Sequence, residues 1–182
     1  MRSPLPLIGT VPAALLVVSG CASAPTLVPP EVSATLRPPS GEMLFLKARA
    51  SGVQIYHCES KVAEPPTYQW VFRGPEAVLM DRSGRSLGRH YAGPTWRSKD
   101  GSSVVGEVRA SEPAPDPATA IPWLLLTAKA TAGSGVLSAT SSIQRVHTLG
   151  GLAPSAVCSA SNAGQVARVP YTATYYFYRV AR

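Results

Sequence analysis

Pro170-Tyr-Thr-Ala-Thr-Tyr-Tyr-Phe-Tyr-Arg179 alternates strictly: Tyr171, Ala173, Tyr175 and Phe177 fall on one face, and Thr172, Thr174, Tyr176 and Tyr178 on the other. That is the period-two spacing of a β-strand, filled with the aromatic and β-branched side chains that suit a pleated surface. Shorter runs of the same kind precede it at 43–48, 53–58, 68–72, 77–81, 87–92, 103–110, 123–129 and 136–146. Turn residues stand between them, among them Asp81-Arg82-Ser83-Gly84, Asp100-Gly101 and Gly133-Ser134-Gly135. The first two runs predict a hairpin around Ser51-Gly52, with His57 and Cys58 pointing to opposite sides of the second strand. Two stretches lack the pattern, 112–122 and 148–164, and are expected to be surface loops, the second with one helical turn near 155–160. The expectation is all-β, an antiparallel β-sandwich or barrel of about 8–10 strands with two irregular loops.

With 182 residues, 45% hydrophobic and only 15% charged, the chain has the balance of a folded protein with one core. Its start is different in kind. Arg2 followed by a short apolar run over 5–18 has the layout of a secretory signal, too short to span a bilayer. Val18-Ser19-Gly20-Cys21 resembles the bacterial lipobox, in which a lipid is attached to the cysteine thiol and the chain is cut before it. The organisation expected is a signal peptide at 1–20, a Pro-rich tether at 21–40 and one β domain at 41–182. The protein is then exported and lipid-anchored through Cys21 in a bacterial cell envelope. Ala22 in place of Asp after the cysteine favours the outer membrane, facing the periplasm. Fully extended, the tether reaches about 60 Å.

With Cys21 assigned to the anchor, Cys58 and Cys158 are expected to form a disulfide, two free thiols being the alternative. The net charge of +7 suits anionic lipid headgroups, acidic polysaccharides or acidic proteins, and the exported address argues against nucleic acid. Arg82, Arg85, Arg89, Arg97 and Lys99 form a basic group partly offset by Asp81 and Asp100; it reads first as a solvated strand edge protected by charge and second as a contact for membrane or polyanion.

The densest chemistry lies between His90 and Gly101, where His90, Tyr91, Trp96 and Asp100 sit among glycine and proline. Aromatic rings beside hydrogen-bonding groups suit a sugar or small ligand. The plainer alternative puts Trp96 and Tyr91 in the core, His90 on a carbonyl and Asp100 in a turn. Arg145 lies in an expected strand; inward it needs a partner or an anion, and outward beside Gln144 and His147 it is an ordinary surface residue. His57, His90 and His147 show no metal-ligand spacing, no G-x-S-x-G turn is present, and neither metal nor cofactor is expected. The leading expectation is a non-catalytic domain binding a small molecule, glycan or envelope partner. An envelope hydrolase centred on His90, Asp100 and Arg145 comes second, and a purely structural protein third.

Taken as ordered blocks, Gly52-Val-Gln-Ile-Tyr-His-Cys58, His90-Tyr-Ala-Gly-Pro-Thr-Trp96, Asp100-Gly-Ser102, Ile121-Pro-Trp-Leu-Leu125, Ile143-Gln-Arg145 and Val169-Pro-Tyr-Thr-Ala-Thr-Tyr-Tyr-Phe-Tyr178 resemble the family called domain of unknown function 3455, from about residue 39 to 179. The resemblance implies a mostly exported family and carries over no activity or catalytic residue. Some relatives bear a malate dehydrogenase label, which this sequence does not support. It has no G-x-G-x-x-G opening a helix after a strand and no alternating βαβ pattern.

Overall fold

The computed structural model describes residues 26–181; the signal-peptide reading and the proposed lipid site, Cys21, lie outside the described residues. Eight strands follow in order: β1 (Glu42–Lys61), β2 (Thr67–Met80), β3 (Ser86–Tyr91), β4 (Thr95–Ser98), β5 (Ser103–Glu112), β6 (Trp123–Ala132), β7 (Ser142–Gly150) and β8 (Val166–Val180). Each pairs antiparallel with the next, and β8 returns to pair with β1, so one sheet closes into a ring. Of the two arrangements expected, the closed sheet is adopted and the two-sheet sandwich is not.

Antiparallel order puts successive connections at alternate ends of the ring. One end, here the entry end, holds the start of β1 and the connections at 81–85, 99–102 and 133–141. The other, the bridged end, holds those at 62–66, 92–94, 113–122 and 151–165.

Two expected turns are absent. Ser51-Gly52 lies inside the continuous β1, and the runs 68–72 and 77–81 are both parts of β2. Gly52 is there for close approach rather than for a turn: a Cβ at this position would sit 2.1 Å from the carbonyl oxygen of Glu76 on β2. In the other direction, the stretch from His90 to Gly101 contains a short strand, β4, and residues 136–141 lie outside any strand. The 112–122 loop is as expected, and the helical turn in the second loop is a 3-10 turn at Ala160–Asn162.

The inward face of β8 supplies Tyr171, Ala173, Tyr175 and Phe177 to a core shared with Ala48, Leu79, Trp96, Val104, Leu126 and Ile143. Gly106 on β5 leaves room for the indole, since a Cβ there would lie 2.9 Å from the ring of Trp96. Tyr176 and Tyr178, on the outward face, are buried too, in a second cluster with Val146 that Val32, Leu44 and Trp123 cover. Leu36, at the end of a 3-10 turn (Ala34–Leu36), is fully buried, and its carbonyl accepts a 2.7 Å hydrogen bond from Gln144, whose Oε1 in turn accepts from Tyr178. Within the expected tether, Val32 and Leu36 thus dock residues 32–36 across the outside of the ring.

Cys58 and Cys158 form a disulfide with their Cα atoms 5.5 Å apart, within the span such bridges require. It ties the 151–165 connection to β1. Backbone bonds on either side of Cys58, to Gly164 and Gln165, hold the same segment.

Candidate functional site

His90 on β3 and Trp96 on β4 are directly opposed across the hairpin, and their rings stack 4.3 Å apart at an interplanar angle of 9°. Tyr175 meets both rings edge-on, at 5.0 and 5.3 Å. All three side chains are buried. His90 Nδ1 lies 2.9 Å from the carbonyl oxygen of Thr95; a carbonyl only accepts, so Nδ1 carries the proton and Nε2 keeps its lone pair. Burial pushes the imidazole pKa down to about 3, against a smaller opposing effect of the Thr95 bond.

The neutral histidine has a consequence that denaturation can read. An unfolded histidine takes up a proton below about 6.5, whereas His90 resists it to about 3, so across this window the unfolded state binds more protons. The contribution is fully present above pH 6.5 and is lost as pH falls toward 3. Urea denaturation at pH 6.5 and 4.5 is expected to show a loss of about 2 kcal/mol in the wild type that His90→Asn lacks, from a limit of ~1.4 kcal/mol per pH unit. Equal losses in the two proteins would contradict a neutral imidazole. His147, also lowered by burial, contributes with the same sign in both.

Arg145 on β7 stands between Leu124 on β6 and Tyr175 on β8. Those neighbours place it on the inward side, the first of the two orientations that the sequence leaves open. Nε and Nη2 donate to the carbonyl oxygen of Pro122 at 3.2 and 2.8 Å. Among the described residues no carboxylate lies within ion-pair distance of it. Its positive charge nevertheless reaches Tyr56, Tyr171 and Tyr175, lowering the pKa of each against the larger effect of burial, and His90, where it adds to the lowering by burial.

His90, Trp96, Tyr175 and Arg145 line one cavity of about 190 Å³ toward the bridged end, walled also by Phe72, Pro75, Pro94, Val108, Leu124 and Leu126. Around this part of the interior the hydroxyls of Tyr171 and Tyr175, Trp96 Nε1 and Gln54 Nε2 are buried without a hydrogen bond of normal geometry. The Tyr175 hydroxyl lies near both Tyr171 and the Arg145 guanidinium, which lower its pKa against the larger effect of burial.

Tyr91 and Asp100 do not join this group. Tyr91 is 38% exposed and faces outward. Asp100 lies in the β4–β5 turn at the entry end and lines a different cavity. Its carboxylate accepts from the Ser102 hydroxyl at 2.6 Å, the Ser102 N–H at 2.9 Å and the Val136 N–H at 2.7 Å. These bonds, led by the Ser102 hydroxyl, hold its pKa well below the usual carboxylate range. Asp100 fastens two connections together, as the plainer reading has it. His57, near Glu59, and His147, beside Trp123, also stand apart from His90. Among the described residues no three of His, Cys, Asp and Glu cluster as a metal site. Tyr171, Tyr175 and Gln54 were not singled out from the sequence as site residues, although their inward parity on β8 and β1 was readable there.

The fold and site together define an all-β protein whose closed antiparallel sheet holds a small aromatic cavity with one arginine uncompensated by an acid. The chain belongs to the family described as Protein of unknown function (DUF3455), whose model matches residues 39–179. No curated protein and no solved structure matches it.

Proposed function

We propose that this protein is a non-catalytic binding domain for a small molecule with a flat apolar body and one anionic group. The observation that carries the proposal is Arg145: a guanidinium turned into an aromatic cavity with no carboxylate beside it favours an anion there. An eight-stranded closed sheet has an interior that side chains just fill or that holds one small ligand. At about 190 Å³ the cavity is smaller than those of drug-sized ligands and suits a single ring with one substituent. The indole, phenol and imidazole supply flat contact, and Tyr175 and Trp96 offer donors that lack partners within the protein. The hydrolase alternative has little support, because Asp100 is committed to a distant turn and His90 is a buried, weakly basic imidazole. The cell envelope remains our proposed address, with Cys21 as the site of lipid attachment.

Benzoate and its neutral analogue benzamide test the proposal by titration calorimetry. Benzoate is expected to bind at least about 10-fold more tightly, the scale of a charge-assisted hydrogen bond. Arg145→Met is expected to abolish that preference while far-UV circular dichroism stays unchanged. A preference that survives in Arg145→Met, or no binding of either compound to the wild type, would overturn it.

A further inference from the structure

The basic residues of the sequence do not guard a strand edge, because the ring is closed and β3 and β4 each have two paired neighbours. Arg89 and Arg97 are directly opposed on adjacent strands with both side chains exposed, a like-charge pair that costs stability unless something compensates it. Arg82 projects from the β2–β3 turn and Lys99 from the β4–β5 turn, both at the entry end. Lys47 and Arg49 follow on the outward face of β1, where they line a hollow with Met80 and Arg82. Among the described residues none of these six forms an ion pair with a carboxylate. The nearby acids are occupied: Asp81 with Arg85, and Asp100 with Ser102 and Val136.

The described chain enters at this same place. Thr26, Leu27 and Val28 line the hollow with Lys47, Arg49 and Arg82, so the first described residues lie against the basic face. Exposed apolar side chains lie among the cations: Leu27, Val28 and, between Ser51 and Arg89 in the cross-strand row, Val78. A soluble polyanion gives those side chains nothing to bury in, whereas a bilayer interface takes both kinds.

The geometry points to a membrane-docking face: Lys47, Arg49, Arg82, Arg89, Arg97 and Lys99 rest on anionic phospholipid headgroups and turn the bridged end, with its cavity, away from the bilayer. This inference does not depend on the ligand proposed above, since it concerns the outward face of the ring and not its interior.

The test uses the full chain carrying Cys21→Ser, so that no attached lipid does the binding, and two further versions that each remove two positive charges. One adds Arg82→Ser and Arg97→Ser on the docking face; the other adds Lys61→Ser and Arg109→Ser, exposed cations on the strand portions toward the bridged end. Partition into phosphatidylcholine vesicles with and without about 30 mol% phosphatidylglycerol is measured by co-sedimentation. The phosphatidylglycerol-dependent gain is expected to fall about 25-fold in the first version and less than about 3-fold in the second, each cation near a charged surface being worth roughly 5-fold. High salt is expected to remove the gain. Equal falls in the two versions would reduce the effect to net charge and overturn the inference. So would the absence of any phosphatidylglycerol dependence, or binding to dextran sulfate without binding to vesicles.

Discussion

Replacing Cys58 and Cys158 together by serine is expected to lower the stability of the folded protein by about 4 to 5 kcal/mol. The bridge spans a sequence separation of 100 residues, and in the chain-entropy description closing a loop of that size removes about that much freedom from the unfolded chain. Its location adds a local reason. The bridge holds the 151–165 connection against β1, and without it that connection keeps the Gly164 and Gln165 backbone bonds, the Asn162 turn, the bond from Trp70 Nε1 to the Ala156 carbonyl and, at its start, the bond from the Tyr56 hydroxyl to the Gly151 carbonyl. Guanidinium denaturation of the oxidised protein and the double serine variant checks it. A difference under about 1 kcal/mol would mean that those remaining bonds, and not the cross-link, hold the loop.

Trp96→Ala is expected to cost about 3 to 5 kcal/mol, the range for emptying a large aromatic site in a core. The indole is 1% exposed and touches the rings of His90, Tyr175 and Phe177, so its loss removes the centre of the aromatic cluster rather than one edge of it. The same change opens the cavity beside it and brings His90 into contact with water. The histidine pKa is therefore expected to rise toward its ordinary value, which proton NMR of the imidazole reads separately from stability. Trp96→Phe is expected to recover more than half of the lost stability. A destabilisation below about 1 kcal/mol for the alanine variant would show that β4 and its neighbours collapse into the space.

β8 was legible because aromatic and threonine residues run through it without a glycine or a break, which suits a strand and no other element, and the disulfide followed from having only one pair left. Strand lengths were not legible. Glycine marks a turn and a close backbone approach equally well, and at Gly52 the cause is the Glu76 carbonyl on β2, a partner only the fold supplies. Arg145 was hard to orient for a different reason. Ile143, Gln144 and Val146 are all buried, since the docked 32–36 segment covers the outer face of β7, and that covering erases the contrast between sides on which parity depends. The cluster of His90 with Trp96 could be suspected from their nearness in sequence. Asp100, equally near, lies beyond β4 and is carried to the opposite end of the ring by the strand's own direction.

The docked segment also determines how the protein bears load. If the chain upstream of Thr26 is fixed and the ring is dragged by whatever it holds, tension arrives first at residues 32–36, whose grip on the outer wall is the apolar packing of Val32 and Leu36, the bond from the Ser33 hydroxyl to Glu112 and the bond from Gln144 to the Leu36 carbonyl. That contact yields before β1 is pulled, because β1 is laced to β2 and β8 along most of its length. Under such a pull residues 32–36 would act as a mechanical fuse, lengthening the leash while the ring keeps its shape.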